Sequence, residues 1–199
     1  MRKKNIVIIV SVILVIGFLS TYTENWHITE SGAIPGNHKI IISQDTVYGK
    51  AAIYEDMKNQ TFGAVKLNKK LGLFYEYGGL AEREFPEEDM PFQVVGFGNN
   101  VEQNDSFVVG IKVNRNSNIH SISLGYHKKI TDYNESYEFS MKDIEAHPDK
   151  YLVKEVKNGY VLFVMDEYTH EGWTMRGFDK DGNMVADKLF SAQPRYTNW

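Results

Sequence analysis

Three side chains near the C terminus have the types and spacing of the first ligands of a calcium loop. Asp179, Asp181 and Asn183 alternate in a segment that also contains Gly182. The calcium-hand pattern is Asp-x-Asp/Asn-x-Asp/Asn-Gly followed by a glutamate, whereas Gly182 here precedes Asn183. The same residue types form tight β turns, because they supply side-chain caps and positive φ angles. The pattern therefore favours a turn, with a metal site as the alternative.

Aromatic residues are concentrated between positions 48 and 77. Rings that line one exposed face could stack on a glycan or a peptide, as amphipathic rings do at binding surfaces. Rings that pair across neighbouring strands instead stabilise a sheet by about 0.2–1 kcal/mol for each pair. We favour cross-strand pairing. If these rings form a ligand surface, its candidate residues are Tyr54, Phe74, Tyr75 and Tyr77.

The sequence contains no familiar catalytic or cofactor motif. It has no phosphate-binding loop, no Gly-x-Ser-x-Gly elbow and no His-Glu-x-x-His zinc motif. The six histidines include no pair three or four residues apart, and the absence of cysteine excludes cysteine nucleophiles, zinc–thiolate clusters and disulfides. We therefore predict no cofactor.

The distribution of charge in the sequence indicates which classes of partner to expect. Five carboxylates in residues 82–89 could chelate a divalent ion or meet a cationic partner, but we interpret them as a solvated loop. The formal net charge is −4, and without Arg2, Lys3 and Lys4 the remainder carries −7. Nucleic-acid phosphates require a basic face, so we expect no nucleic-acid partner.

The N-terminal segment 1–26 has the features of a sequence that targets a protein to a membrane. Three basic residues precede an apolar run, residues 6–19, which makes about 21 Å of helix. Counting residues 5–22 gives about 27 Å, which approaches a hydrocarbon layer of roughly 30 Å. No Ala-x-Ala-like cleavage site follows. These features favour a retained single-pass anchor with its N terminus cytoplasmic, over a cleaved signal peptide that would release a secreted protein.

Residues 27–199 read as a mainly β, extracytoplasmic domain. Short alternating or β-branched segments are separated by turn signals, and only residues 142–150 look weakly helical. Asn158-Gly159 predicts a hairpin between residues 151–157 and 160–166. We expect an antiparallel β sandwich or open barrel, with a possible division into halves 27–90 and 91–199.

Several turn and strand segments resemble those of small exported, membrane-anchored, β-rich proteins of Bacillus-type Gram-positive bacteria. The matching segments are GKAAIYE at 49–55, FGAVKLNKK at 62–70, FVVGI at 107–111, IHSISL at 119–124 and FDKDGN at 178–183. The resemblance implies a Gram-positive host and a location at the outer face of the membrane. That group has no established activity, so the resemblance supplies no catalytic residues.

Two functions of different classes follow from these observations. The first is a noncatalytic binding module on the outer membrane face, held by the N-terminal helix and binding an exported protein, a wall polymer or a small ligand. The second is a cell-wall or extracellular hydrolase, whose acids or histidines the fold would bring together. A deep cleft with converging polar side chains would favour the enzyme. The missing motifs favour the binding module.

Overall fold

Antiparallel strands form most of the described chain. The computed structural model describes residues 9–11, 14, 25–80, 89–101, 104–126, 137–166, 173–189 and 192–197. Within these residues the elements are β1 (Trp26–His27), α1 (Glu30–Ala33), β2 (His38–Thr46), β3 (Gly49–Asp56), β4 (Thr61–Lys70), β5 (Phe74–Leu80), β6 (Phe92–Val101), β7 (Asn104–Val113), β8 (Ser121–Tyr126), α2 (Met141–Glu145), β9 (Tyr151–Glu155), β10 (Tyr160–Asp166), β11 (Trp173–Phe178), β12 (Met184–Lys188) and β13 (Arg195–Tyr196).

The predicted anchor lies almost entirely outside the described residues. Residues 9–11 and 14 are helical, and the side chains of Ile9, Val10 and Leu14 are exposed. Among the helices that the structure describes, none is both long and apolar enough to cross a membrane.

The described strands form three sheets, none of which closes on itself. The first sheet has the order β1-β5-β4-β3-β2, the second β10-β7-β6, and the third β13-β12-β11-β8-β9. Every pairing between these strands is antiparallel. The prediction of a mainly β, antiparallel fold is therefore confirmed, while the proposed division at residue 90 stays a prediction.

The second sheet is covered on both faces by the other two sheets. Alternate residues of its strands point to opposite sides, so each face contributes its own apolar side chains. On one face Val108 and Leu162 pack with Ile53 and Phe62 of the first sheet. On the other face a larger cluster joins it to the third sheet; its members include Val109, Ile111, Phe163, Ile122, Leu124 and Ala186. The middle sheet thus supplies part of the core on each side.

Helix α1 covers the outer face of the first sheet. Thr29 caps the helix by accepting a hydrogen bond from the Gly32 N–H. Ala33 and Ile34 then pack on a third hydrophobic cluster, whose strand residues are Ile40, Ala52, Tyr54, Val65, Leu67, Tyr75 and Tyr77. This cover removes the middle of that face from solvent.

The third sheet buries charged side chains on the face opposite the second sheet. Arg176 and Asp187 are cross-strand neighbours and are fully buried. Arg195 donates two hydrogen bonds to the Asp187 carboxylate, at 2.7 and 3.2 Å. The Arg176 Nε donates to the Tyr137 hydroxyl at 3.2 Å, and its guanidinium lies 4.1 Å from the centre of the Phe139 ring. We call Arg176, Asp187, Arg195 and Tyr137 the ionic cluster.

The Asn158-Gly159 turn forms, but the predicted hairpin around it is wrong. Both residues have positive φ, 54° and 82°, and Lys157 and Tyr160 exchange two backbone hydrogen bonds of 2.9 Å. The strands then separate: β9 pairs with β8 in the third sheet, and β10 pairs with β7 in the second. Strand β10 buries both of its faces, which requires a position in the middle layer. It therefore pairs with β7 in that layer and not with β9, its neighbour along the chain.

Candidate functional site

A groove of about 790 Å³ lies between the first and second sheets. The start of β2, the end of β3, the ends of the β6–β7 hairpin and the start of β10 line it. Its charged side chains are Lys39, Glu55, Lys112 and Arg115, and Tyr160 is nearly buried at 4% exposure.

Strand register brings the groove side chains together from distant parts of the chain. Lys39 is opposite Glu55 in the β2–β3 pair, and Lys112 is opposite Tyr160 in the β7–β10 pair. Lys112 follows the same alternation as Val108, which faces the first sheet. Its side chain therefore extends across the gap between the sheets toward Glu55.

Glu55 is the point at which the two sheets meet through polar contacts. The Tyr160 hydroxyl donates a short hydrogen bond to Glu55 Oε1. The Lys112 Nζ lies 3.3 Å from the same oxygen. That ammonium also lies 5.6 Å from the centre of the Phe62 ring and 5.4 Å from that of Tyr160. Lys112 is therefore held by a carboxylate and by two aromatic faces.

These contacts determine which group carries a proton. The hydrogen bond from Tyr160 lowers the pKa of Glu55; burial opposes this, and the cations Lys112 and Lys39 add to the lowering. Burial raises the pKa of the Tyr160 hydroxyl, and the hydrogen bond to Glu55 raises it further. At neutral pH Glu55 is thus an ionised acceptor and Tyr160 a protonated donor, an arrangement that holds charge instead of transferring protons.

The remaining lining residues make the groove suitable for anions. Arg115 is exposed at the rim, beside the amide side chains of Asn116 and Asn158. Among the described lining residues, Lys39, Lys112 and Arg115 are opposed by one carboxylate, Glu55. A ligand bearing phosphate or carboxylate groups could meet these cations while its neutral parts contact the amides and the apolar wall.

The predicted aromatic residues do not form one exposed row. Tyr54 is fully buried, and its ring packs edge-on to His38 at 4.9 Å. Tyr75 and Tyr77 are half-buried against the same cluster as Tyr54. Phe74 alternates with them on β5 and packs on Trp26, with ring centres 5.8 Å apart. Tyr54 therefore offers no surface to a ligand.

The predicted metal-ligand triplet lies in the β11–β12 turn. Asp179 Oδ1 accepts hydrogen bonds from the backbone N–H groups of Asp181 and Asn183, each at 2.9 Å. Asp179 Oδ2 accepts from the Asn183 side-chain amide at 3.1 Å. Burial raises the pKa of Asp179, but these hydrogen bonds outweigh it and the net pKa is lowered. The Asp179 carboxylate is thus engaged by its own turn.

The described residues contain no cluster of metal-ligating side chains. No group of three or more His, Asp or Glu side chains there is arranged to hold a metal ion. Of the predicted acidic loop, only Asp89 falls within the described residues, and His127 and His170 also lie outside them.

No sequence pattern singles out the groove residues. Glu55, Lys112 and Tyr160 are far apart in the chain and belong to no short motif. One signal was present: Lys112 is a lone cation between Ile111 and Val113, directly after the apolar run 107–111. A charge at such a position requires a partner, because an unpaired charge is costly to bury.

Comparison of the chain with models of protein families, with curated proteins and with solved structures found no match.

Proposed function

We propose that the protein is a noncatalytic binding module, held at the outer face of a Gram-positive cell membrane, whose groove binds an anionic polymer of the cell wall. The observation that carries this proposal is the convergence of Lys39, Lys112 and Arg115 on one groove. The domain that bears the groove would be a β sandwich in which two outer sheets enclose a third.

The tether is supported by the N-terminal segment 1–26. A basic end followed by an apolar run directs the following chain across an exporting membrane. Within this segment the side chains of Ile9, Val10 and Leu14 are exposed. A lipid environment would accommodate them.

The ligand class is supported by the chemistry of the groove. Arg115 and Lys39 are exposed cations, while Lys112 is positioned by Glu55 and two rings. Such a combination suits a chain of spaced negative charges better than one buried ion, because two of the three cations are exposed at the surface. An exported protein with an acidic segment would offer similar charges, and we favour the polymer because of the amide side chains at the rim.

The alternative function, a wall or extracellular hydrolase, has less support. Hydrolysis of a glycosidic bond by two carboxyl groups requires a second acid near the first. Glu55 is the one carboxylate among the described lining residues, and its lowered pKa makes it a poor general acid.

The binding proposal can be tested with poly(glycerol phosphate) as the probe. Replacing exposed Lys39 or Arg115 by glutamine should weaken binding about fivefold in each case, since one exposed ion pair contributes up to about 1 kcal/mol. Affinity would be measured by titration calorimetry on the purified full chain in detergent. The affinity should also fall steeply as salt is added.

Two controls make the result specific. Lys180→Gln removes the same charge from the exposed β11–β12 turn, away from the groove, and should leave the affinity unchanged. Neutral dextran should not bind. Equal loss in all three variants, or binding of dextran, would contradict the proposed site.

A further inference from the structure

Four large apolar side chains are exposed at one end of the first sheet. Ile28 is 78% exposed, Val47 70%, Leu71 75% and Leu73 71%. We call these four residues the apolar tip. Exposed leucines are ordinary when scattered, but a group of them at one edge marks an interaction surface.

The topology of the sheet places the four residues side by side. Val47 lies in the turn between β2 and β3, and Leu71 and Leu73 lie in the turn between β4 and β5. The two turns are neighbours, because the Lys69 N–H donates to the Tyr48 carbonyl at 3.1 Å. Ile28 follows β1, which pairs with the start of β5. Together they follow one edge across five strands, about 19 Å at the usual strand spacing.

The packing of the protein does not explain the leucines. Turns favour glycine, asparagine, aspartate and proline, yet this turn reads Leu71-Gly72-Leu73. Leu71 has a φ of 50°, in the left-handed region where a branched side chain is strained. A leucine that is both strained and exposed stabilises nothing in the isolated domain. A contact outside the domain would account for it.

The predicted tether brings this end of the sheet to a membrane. Only residues 20–25 separate the apolar run from β1, and six residues span at most about 21 Å. Trp26 pairs with Glu76 and His27 with Tyr75, so β1 begins two residues of β5, roughly 7 Å, from Phe74 at the tip end of the sheet. Lys69 is exposed beside the tip, where its ammonium can reach lipid phosphate while its stem lies on apolar surface.

We propose that the apolar tip inserts into the interfacial layer of the membrane that carries the tether, with the lipid of the outer leaflet as its partner. This inference rests on the tether in the proposed function. Contact with the membrane fixes the orientation of the domain. The groove lies near Lys39 and Glu55, at the other end of β2 and β3, and therefore faces away from the lipid.

The natural absence of cysteine provides a direct test. Leu73→Cys gives one labelling site at the tip, and Met57→Cys gives a matched site in the exposed β3–β4 turn at the opposite end. Each full-length variant would be labelled with an environment-sensitive dye. It would then be reconstituted into phosphatidylglycerol–phosphatidylethanolamine vesicles whose acyl chains carry a spin-label quencher.

The dye at position 73 should lose most of its fluorescence relative to quencher-free vesicles, and the dye at position 57 should lose none. Unquenched fluorescence at position 73, or equal quenching at both positions, would overturn the proposed docking. Alkaline extraction of the same vesicles tests the tether separately. A chain that resists extraction but is unquenched at position 73 is tethered without docking, whereas an extracted chain contradicts the tether.

Discussion

Tyr160 and Lys112 belong to the second sheet, and both contact the Glu55 carboxylate of the first. The carboxylate is partly exposed, with 31% of its side chain accessible, so water weakens its ion pair with Lys112. The hydrogen bond from Tyr160 is better protected, because that residue is nearly buried. Removing the Tyr160 hydroxyl should therefore destabilise the protein more than removing the Lys112 ammonium.

Tyr160→Phe should destabilise the protein by about 1 kcal/mol at neutral pH, because Glu55 loses its hydroxyl donor. The pH dependence should change as well. A carboxyl group with a lowered pKa stabilises the fold above its ordinary pKa, and that stability is lost as the pH falls through the folded-state value. In the variant the pKa of Glu55 rises toward its ordinary value, so less stability remains to be lost in acid.

Urea denaturation at about pH 7 and about pH 3 measures both effects. Tyr196→Phe, which removes a hydroxyl in the third sheet, is the matched control. A Tyr160→Phe variant with the acid sensitivity of the natural protein would show that the hydroxyl does not govern Glu55.

The groove residues could not be predicted from local sequence patterns, whereas the candidate metal ligands could be picked out but serve a different role. Asp179, Asp181 and Asn183 attracted attention because their spacing is local, and the structure uses Asp179 to hold a turn. Glu55 and Lys112 have no local pattern, since it is the packing of two sheets that brings them within 3.3 Å. Sequence patterns identify sites within one element, whereas this groove is assembled from five.

At the scale of elements, local pairing was predictable and sheet membership was not. The β3–β4 and β11–β12 hairpins follow directly from strand and turn patterns. Asn158-Gly159 gave an equally strong turn signal, and its two strands enter different sheets. Turn chemistry specifies how the chain reverses direction, but burial decides which partner each strand takes.

The ionic cluster links three strands of the third sheet, and Asp187 is its only carboxylate. Asp187→Asn should destabilise the fold by about 1–3 kcal/mol, because Arg195 would lose the fully buried carboxylate to which it donates two hydrogen bonds. Urea denaturation monitored by tryptophan fluorescence would give the difference.

The comparison for this variant is Asp181→Asn, which makes the same substitution at an exposed position of the adjoining turn. It should change the free energy of unfolding by less than about 0.5 kcal/mol. If the two variants were equally stable, the cluster would not contribute to stability through its charge.

At the scale of the whole molecule, the first and second sheets pack tightly against each other at a glycine. A Cβ atom on Gly110 would lie 3.1 Å from Ile53 Cγ1 and 3.1 Å from Val95 Cγ2. Gly110→Ala should therefore destabilise the protein by about 1–3 kcal/mol, because the inserted methyl group forces the layers apart. Thermal unfolding followed by circular dichroism would measure the loss.

Gly98 provides the control, since it lies in the same β6–β7 hairpin. A Cβ atom there would meet only Phe107 Cδ2, at an ordinary contact distance of 3.8 Å. Gly98→Ala should be neutral or slightly stabilising, because alanine restricts the unfolded chain. A loss at Gly98 as large as at Gly110 would argue against tight packing between the layers as the cause.

The three-layer arrangement also has a consequence for the order in which the molecule assembles. Strands β2 to β5 of the first sheet each pair with their neighbours along the chain, while β10 joins β7 across about fifty residues. Closing so long a loop costs chain entropy before any contact is gained. The last strand of the middle layer thus depends on an encounter between distant parts of the chain, and both outer layers need that strand to complete their inner cover.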